Sequence, residues 1–382
     1  MIDMLVVAHA TALHVNRAFY RELQRRGWKV ELMIPDPLPW RGSSIEPREI
    51  DDPPLHRLPP QGSNTRFWRF EGLPSLVREL RPKIIFLDNE PDSRVAWELG
   101  VIARELGARL VCVTNENDLP PPLGAFIRGE FRPALRSLRS RAASLVTRRG
   151  IDHVFAICDD GVAAMEALGF EGRVSRIPLG FDPALFYPFD AETRRAVRQK
   201  LNLTGTTVAY FGRLVEYKGV HLLIRALANL QDLEWQFLLD DVNEDDAYAA
   251  RLARMLKELG LEHRTVQFHA DHSGMPAVMN AADIVVVPST WKEQYGRVVP
   301  EAMACGRAVV VSDIGAMPEL LDDCGVKIPC GNVEALTDAL RRLLEDESER
   351  ARIGRRAALR ARDELSIGTQ ADIVERTLKG LL

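Results

Sequence analysis

Residues 288–319, PSTWKEQYGRVVPEAMACGRAVVVSDIGAMPE, decide how the rest of the chain is read. They leave an apolar β-branched run, Ile284–Val287, which reads as a buried strand. Pro288, Ser289 and Thr290 end that strand, and a loop carrying Glu293 and Gly296 follows. Proline tolerates the first helical position, so a short helix is expected from about Pro300, with Gly306 suited to its stop. Ala308–Val311 is then the next strand, and Ser312–Gly315 leads into another helix. In strand–loop–helix units of this kind, ligands sit beyond the carboxyl ends of the strands. Glu293 and Glu301 bracket the loop at that edge.

The same rhythm extends in both directions. Upstream, strands are expected at Met4–Ala8, Val30–Ile34, Ile84–Leu87, Leu110–Thr114, Val154–Cys158 and Val174–Ile177. Helical spacing of Val15, Phe19 and Leu23, then helices Arg94–Leu106 and Gly161–Leu168, alternate with them. Residues 35–70 break the pattern: eight of the 23 prolines lie between Pro35 and Pro60, with Trp40 and Trp68 nearby, so an irregular excursion on the rim is expected. Downstream, strands Thr207–Phe211, Trp235–Leu239 and Thr265–Phe268 precede the central stretch, and helices Val333–Glu345, Glu349–Leu365 and Ile367–Leu382 end the chain. Strands alternating with helices imply α/β architecture with parallel sheets covered on both faces. With 382 residues the chain exceeds one core, and the Pro-containing segment 181–200 reads as a connection. The expected units are 1–180, a linker 181–200, and 201–365.

Arg128–Arg149 is basic and amphipathic. Phe131, Leu135, Leu138, Ala142 and Leu145 form one stripe, and Arg128, Arg132, Arg136 and Arg139 form a second beside it. Such a charged stripe is ordinarily the wet face of a helix; the functional alternative is a contact with a membrane surface or a lipid pyrophosphate.

Composition narrows the classes. A hydrophobic fraction of 46% and a net charge of −4 fit a globular protein and argue against general nucleic-acid binding. The apolar start MIDMLVVAHA is too short and lacks the basic residues of a signal peptide, and no run has the length of a membrane span, so a cytoplasmic protein is expected. Five scattered cysteines, with no histidine near the closest pair, read as buried thiols and not as a metal site.

The candidate chemistry gathers at one sheet edge. Gly212 and Arg213 follow the first strand of the second half in YFGRLVEYKGV, and Lys218 lies five residues further on. Together with the Gly296 loop and free N–H groups at Val298 and Val299, these cations make an anion site. Two carboxylates beside a diphosphate would repel it, so Glu293 and Glu301 should face hydroxyls, as an acidic residue does on a ribose. The pieces describe a nucleotide-diphosphate sugar as ligand.

The GRL…KG element, followed by PS…E…YG…PEAMACG…VVVSD…G…PE, resembles the retaining glycosyltransferases of family GT4, and IPLGFDPALFYP matches their interdomain segment. That resemblance implies a GT-B fold: two Rossmann-like, doubly wound domains facing across a cleft, with a C-terminal helix (366–382) packed back on the first. It implies transfer from a nucleotide-diphosphate sugar (UDP or GDP) to a carbohydrate, lipid-linked or small-molecule acceptor hydroxyl, with retention and without a metal or other cofactor. It assigns Arg213 and Lys218 to the donor diphosphate, Glu293 to the sugar and Glu301 to the ribose, with Tyr295, Arg297, Val298 and Val299 lining the donor site.

The chain departs from the family's pattern at three places. AHATALH replaces a Gly-rich turn, which makes His9 and His14 candidates near the sugar. At the strand ends on the acceptor side stand Glu90, Asn115 and Glu116, with Glu116 also a catalytic candidate. Asp240-Asp241 replaces a glycine pair, and acid there opposes a close diphosphate approach. Trp291 is either a stacking platform or a half-buried packing residue. A GT-B nucleotide-sugar epimerase and a non-catalytic nucleotide-sugar binder remain the alternatives.

Overall fold

The structure, a computed structural model, describes residues 2–38, 45–62, 64–242 and 244–382. Trp40 lies outside the described residues. The backbone divides into two compact units, residues 1–180 with 367–382, and residues 181–366.

In the first unit, β1 (Met4–Ala8), β2 (Val30–Pro35), β3 (Leu55–Leu58), β6 (Ile84–Asp88), β7 (Arg109–Thr114), β8 (His153–Ala156) and β9 (Val174–Arg176) form one parallel sheet, while β4 (Pro60–Gln61) and β5 (Arg69–Phe70) form a small antiparallel ladder. The strand order is β3-β2-β1-β6-β7-β8-β9, so the direction of winding reverses between β1 and β6. Continuous apolar runs such as MLVVA are buried along their whole length, as a strand covered on both faces requires.

In the second unit, β10 (Thr207–Tyr210), β11 (Gln236–Asp240), β12 (Thr265–Phe268), β13 (Ile284–Val287), β14 (Ala308–Ser312) and β15 (Val326–Ile328) are again all parallel, in the order β12-β11-β10-β13-β14-β15. Here the reversal falls between β10 and β13. A reversal of this kind leaves a crevice outside the two carboxyl ends, because the flanking connections turn away in opposite directions.

Several expectations need correction. Residues 181–200 are no free connection: Ala191–Lys200 is a helix of the second unit, where Arg194 and Arg198 bond the carbonyls of Asn280, Ala281 and Ala282 and pair with Asp283. The rim excursion supplies an edge strand, β3, paired to β2, which its prolines had concealed. Cys330 is exposed, whereas the other four thiols are buried. Trp291 is exposed as well. The helix Phe131–Thr147 is turned over: Phe131, Leu135, Leu138 and Leu145 face outward, and Ala134, Ser137, Ser140, Ser144 and Thr147 are buried.

The C-terminal helix Ile367–Leu381 belongs to the first unit and buries Ile367, Ala371, Val374 and Leu378. Arg26 reaches Asp372 at 2.6 Å and the Gly368 carbonyl at 3.1 Å, and the Trp28 indole donates to Glu375 at 3.2 Å.

The excursion is held by one fully buried arginine. Arg17 donates to the carbonyls of Thr11, Ala12, Glu46 and Pro47 and to Asp52 at 2.8 Å, so all five of its N–H donors are matched. Arg21 takes the other Asp52 oxygen at 2.8 Å. Burial opposes ionisation of Asp52, but these bonds overcome it and hold the carboxyl below its usual range. Arg17→Met should leave Asp52 with Arg21 alone of its two arginines and strip four carbonyls of their donor, at a cost of about 3–5 kcal/mol in urea unfolding at pH 7. The loss should shrink as the pH falls below the ordinary Asp range, where Asp52 is protonated in the unfolded chain and the pair contributes less.

Candidate functional site

The reversal in the second unit brings together β10, β13 and the loops that leave them. Gly212 follows β10 with a φ of 127°, and its N–H donates to the Asp240 carboxylate at 3.0 Å. Burial raises the pKa of Asp240 while that N–H opposes the rise; one carboxylate oxygen serves the loop, and the other, Oδ1, is buried without a hydrogen-bond partner among the described residues. The acid that replaces a glycine here thus anchors the Gly212 turn.

A 3₁₀ turn, Glu216–Lys218, then leads through Gly219 into the helix Val220–Ala228. A Cβ on Gly219 would lie 2.0 Å from the Pro288 carbonyl oxygen, so only glycine lets the two loops meet. Thr290 N–H bonds the Tyr217 carbonyl at 2.8 Å, closing the contact. Gly315 plays the same part on the other side: its Cβ would meet the Glu293 backbone at 2.6 Å, and Ala316 N–H donates to the Glu293 carbonyl at 3.1 Å.

Those approaches position the charges. Lys218 Nζ pairs with Glu293 Oε1 at 2.6 Å, and the Ser289 hydroxyl donates to the same oxygen at 2.8 Å. Arg213 is half exposed, pairs with Glu244 at 2.8 Å and donates to the Tyr217 hydroxyl at 2.6 Å. Both cations flank the Tyr217 ring, Arg213 at 6.0 Å and Lys218 at 5.8 Å from its centroid. Gly296 turns the loop with a φ of 82°, and the neighbouring Tyr295 is buried.

The helix spans Val298–Ala304, two residues earlier than expected; Pro300 still falls in the first turn, where its missing N–H breaks no helical bond. Val299 N–H is not free, since it donates to the Gly296 carbonyl at 2.9 Å. Glu301 is buried, and burial lifts its pKa to about 7; Arg297, 3.7 Å away, only partly offsets this.

In the first unit the sheet reversal places His9 after β1 and Glu90 after β6. The His9 ring meets Trp68 edge-on at 5.8 Å. Burial lifts the Glu90 pKa to about 7, against the pull of Arg66 and the Thr114 hydroxyl, and Asn115 N–H donates to Glu90 at 3.0 Å. Glu116 is committed to protein partners: Arg66 bonds one oxygen at 2.8 Å, and Asp118 N–H donates to the other at 3.2 Å. Arg66 also pairs with Asp92. His14 lies apart, bonded to Arg21 at 2.7 Å and Glu49 at 2.8 Å in the cluster that holds the rim.

Sequence reasoning missed Arg66, Ser289, Tyr217 and the anchoring role of Asp240. Ser289 stands in the PST turn next to Glu293, a legible signal, whereas Arg66 sits in the irregular excursion and gave none. Among the described residues one trio offers metal-ligand geometry, Asp240, Asp241 and His269, with ligand atoms within 4.8 Å of one another. His269 is exposed there and pairs with Asp241 at 3.1 Å.

Similar folds are known. The Anabaena HepE structure in complex with UDP and glucose aligns with 99% of this chain and 100% of its own, with a TM-score of 0.75 and 22% identity. Sucrose-phosphate synthase from Thermosynechococcus elongatus aligns over all of both chains, with a TM-score of 0.71 and 20% identity. At these identities the likeness concerns the fold, which is GT-B. Residues 193–360 match the family described as glycosyl transferases group 1, and residues 12–180 match a glycosyl transferase 4-like domain. The chain therefore belongs to the GT4-type glycosyltransferases.

Among curated relatives, the D-inositol 3-phosphate glycosyltransferase of Corynebacterium glutamicum is 32% identical over 201 residues, 50% of this chain and 48% of that protein. The alpha-D-kanosaminyltransferase of Streptomyces kanamyceticus is 30% identical over 180 residues, 45% of this chain and 46% of that one. The chain spans about half the length of the curated relatives it matches.

The buried carboxyl of Glu301 has a consequence for stability. Its folded pKa lies above the unfolded value, so its contribution is greatest below about pH 4.5 and is lost as the pH rises toward 7. Without ligand, Glu301→Gln should be more stable than the native chain at pH 8, by on the order of 2 kcal/mol, with little difference at pH 4.5. Urea unfolding at the two pH values measures this; an unchanged pH dependence would show that Glu301 is not the buried titrating group.

Proposed function

We propose that the protein transfers a sugar from a nucleotide-diphosphate sugar to an acceptor hydroxyl with retention of configuration. The convergence of Arg213, Lys218, Glu293 and Glu301 at the β10–β13 reversal carries this reading. The relatives' names, both of sugar transferases, support transfer. UDP, present in the HepE complexes, is the first nucleotide to try, ahead of GDP. The reading places the enzyme in the cytoplasm, in polysaccharide, glycolipid or glycoside biosynthesis.

In this reading the arriving diphosphate competes for Lys218 and breaks its pair with Glu293, which frees Glu293 to accept hydrogen bonds from the sugar hydroxyls. Arg213 exchanges Glu244 for the phosphate in the same way. The bond from the anomeric carbon to the diphosphate oxygen breaks, and its electron pair leaves with the diphosphate. The acceptor oxygen bonds to the same face of that carbon, and its proton passes to the departing phosphate oxygen. Arg213 and Lys218 stabilise the charge that develops on the leaving group, the part a metal plays elsewhere, so no metal or other cofactor is included. Glu301 holds the ribose, which does not change during the reaction. On the acceptor side, Glu116 orients Arg66, while His9, Glu90 and Asn115 line the strand ends.

Nucleotide diphosphate should be released from the donor only with an acceptor present, apart from slow hydrolysis. An epimerase would instead alter the sugar without acceptor, and a binder would do neither. Glu293→Gln should leave binding of free nucleotide diphosphate nearly intact while turnover falls at least tenfold, and Glu301→Gln should weaken donor and free nucleotide about equally. Titration calorimetry with the nucleotide, followed by transfer assays, checks both. Loss of nucleotide binding in Glu293→Gln with none in Glu301→Gln would reverse the assignment of the two carboxylates.

A further inference from the structure

The helix Phe131–Thr147 packs with the face that ordinarily meets water. Its buried side is Ala134, Ser137, Ser140, Ser144 and Thr147, and two of the hydroxyls satisfy themselves on carbonyls, Ser137 on Pro120 at 2.7 Å and Ser144 on Arg141 at 2.9 Å. Small side chains let the helix sit close while contributing little apolar burial. The large apolar side chains Phe131, Leu135, Leu138, Leu145 and Val146 all stand outward, with Phe131 63% and Leu135 59% exposed. The preceding helix, Pro122–Ile127, adds Leu123 at 73% and Ile127 at 77% exposed. Scattered exposed leucines are ordinary, but seven large apolar side chains on two consecutive helices make a patch of the kind that marks an interaction surface.

The arginines of this region are not equivalent. Arg128 is neutralised by Glu130 at 2.9 Å, and Arg136 is drawn to Asp118 and to Glu116 at 3.6 Å. Arg132 and Arg149 have no ion pair among the described residues, and Arg139 lies over the Phe67 ring at 5.3 Å without a carboxylate. At 100° per residue, Arg132 and Arg139 border the apolar ridge on one side, and Arg149 continues its line just past the helix end. An apolar ridge bordered by cations fits an interface of lipid tails and anionic headgroups. The chain as a whole carries −4, so attraction to an anionic surface has to be local, and it turns this face toward that surface. A two-fold pairing of the same ridge would bring like arginines together, which disfavours a second copy as its occupant.

We infer that the face formed by Leu123, Ile127, Phe131, Leu135, Leu138 and Leu145, with Arg132 and Arg139 at its border, docks the protein on an anionic membrane surface. Docking does not depend on the donor site and is measured without donor. In flotation assays the full chain should bind vesicles containing phosphatidylglycerol at low salt, bind phosphatidylcholine vesicles far less, and lose binding as salt is raised. Leu135→Ser with Leu138→Ser should weaken binding about tenfold or more. Arg132→Gln with Arg139→Gln should weaken it about fivefold per arginine and flatten the salt dependence. All four positions are exposed, so unchanged thermal unfolding confirms that each variant is folded. Failure to bind either vesicle at low salt, or binding indifferent to both variants, overturns the inference. So does a dimer in sedimentation that Leu135→Ser dissolves while vesicles stay unbound, which would assign the face to a second copy.

Discussion

The near-contact of two loop backbones, Gly219 against the Pro288 carbonyl, is the constraint on which the candidate site rests. β10 and β13 are neighbours in the sheet, and their loops leave in opposite directions, so nothing in the sheet itself brings the loops back together. A residue without a side chain does. Once the loops meet, Lys218 falls within 2.6 Å of Glu293, although 75 residues separate them in sequence. Gly315 repeats the device on the far side by seating the Glu293 backbone. The side chains that matter are thereby held from both flanks before any ligand arrives, which is what pre-organisation requires.

Each unit also keeps a carboxyl near its sheet reversal that desolvation lifts to about 7, the buried Glu301 in the second and the partly buried Glu90 in the first. Arg297 lies 3.7 Å from Glu301 and Arg66 pulls on Glu90, but in neither case does the cation fully offset burial. Carboxyls shifted in this way beside strand ends are candidates for a functional role. By contrast, Asp52 is also deeply buried but is fully paired, and its role is to hold the rim.

Ion pairs hold both cations at the β10–β13 reversal. Arg213 on Glu244 and Lys218 on Glu293 each satisfy a cation with a carboxylate that an anionic ligand can displace. The Arg213–Glu244 pair is half exposed, and exchanging such a pair costs little, whereas Lys218 and Glu293 are largely shielded from water. The cations remain charged and placed in either state.

The strand and helix pattern was legible in the residues because period and composition are local properties. Apolar runs such as Ile284–Val287 and Val309–Val311 admit only buried strands, and alternation with helices dictates parallel sheets. The spacing from Gly212 to Glu301 likewise placed the candidate charges at one edge, since a strand-loop-helix unit delivers its loop there. Period tells which residues of a helix share a face but not which face is covered, so only the tertiary packing turned Phe131 and Leu135 outward and Ser137 and Ser144 inward. The same limit hid the anchoring role of Asp240, whose partner, the Gly212 N–H, comes from another loop. It hid Arg66 and Arg17 as well. Both gather groups from distant segments, and the choice among carboxylates for an arginine is made by proximity in space, which no local pattern encodes.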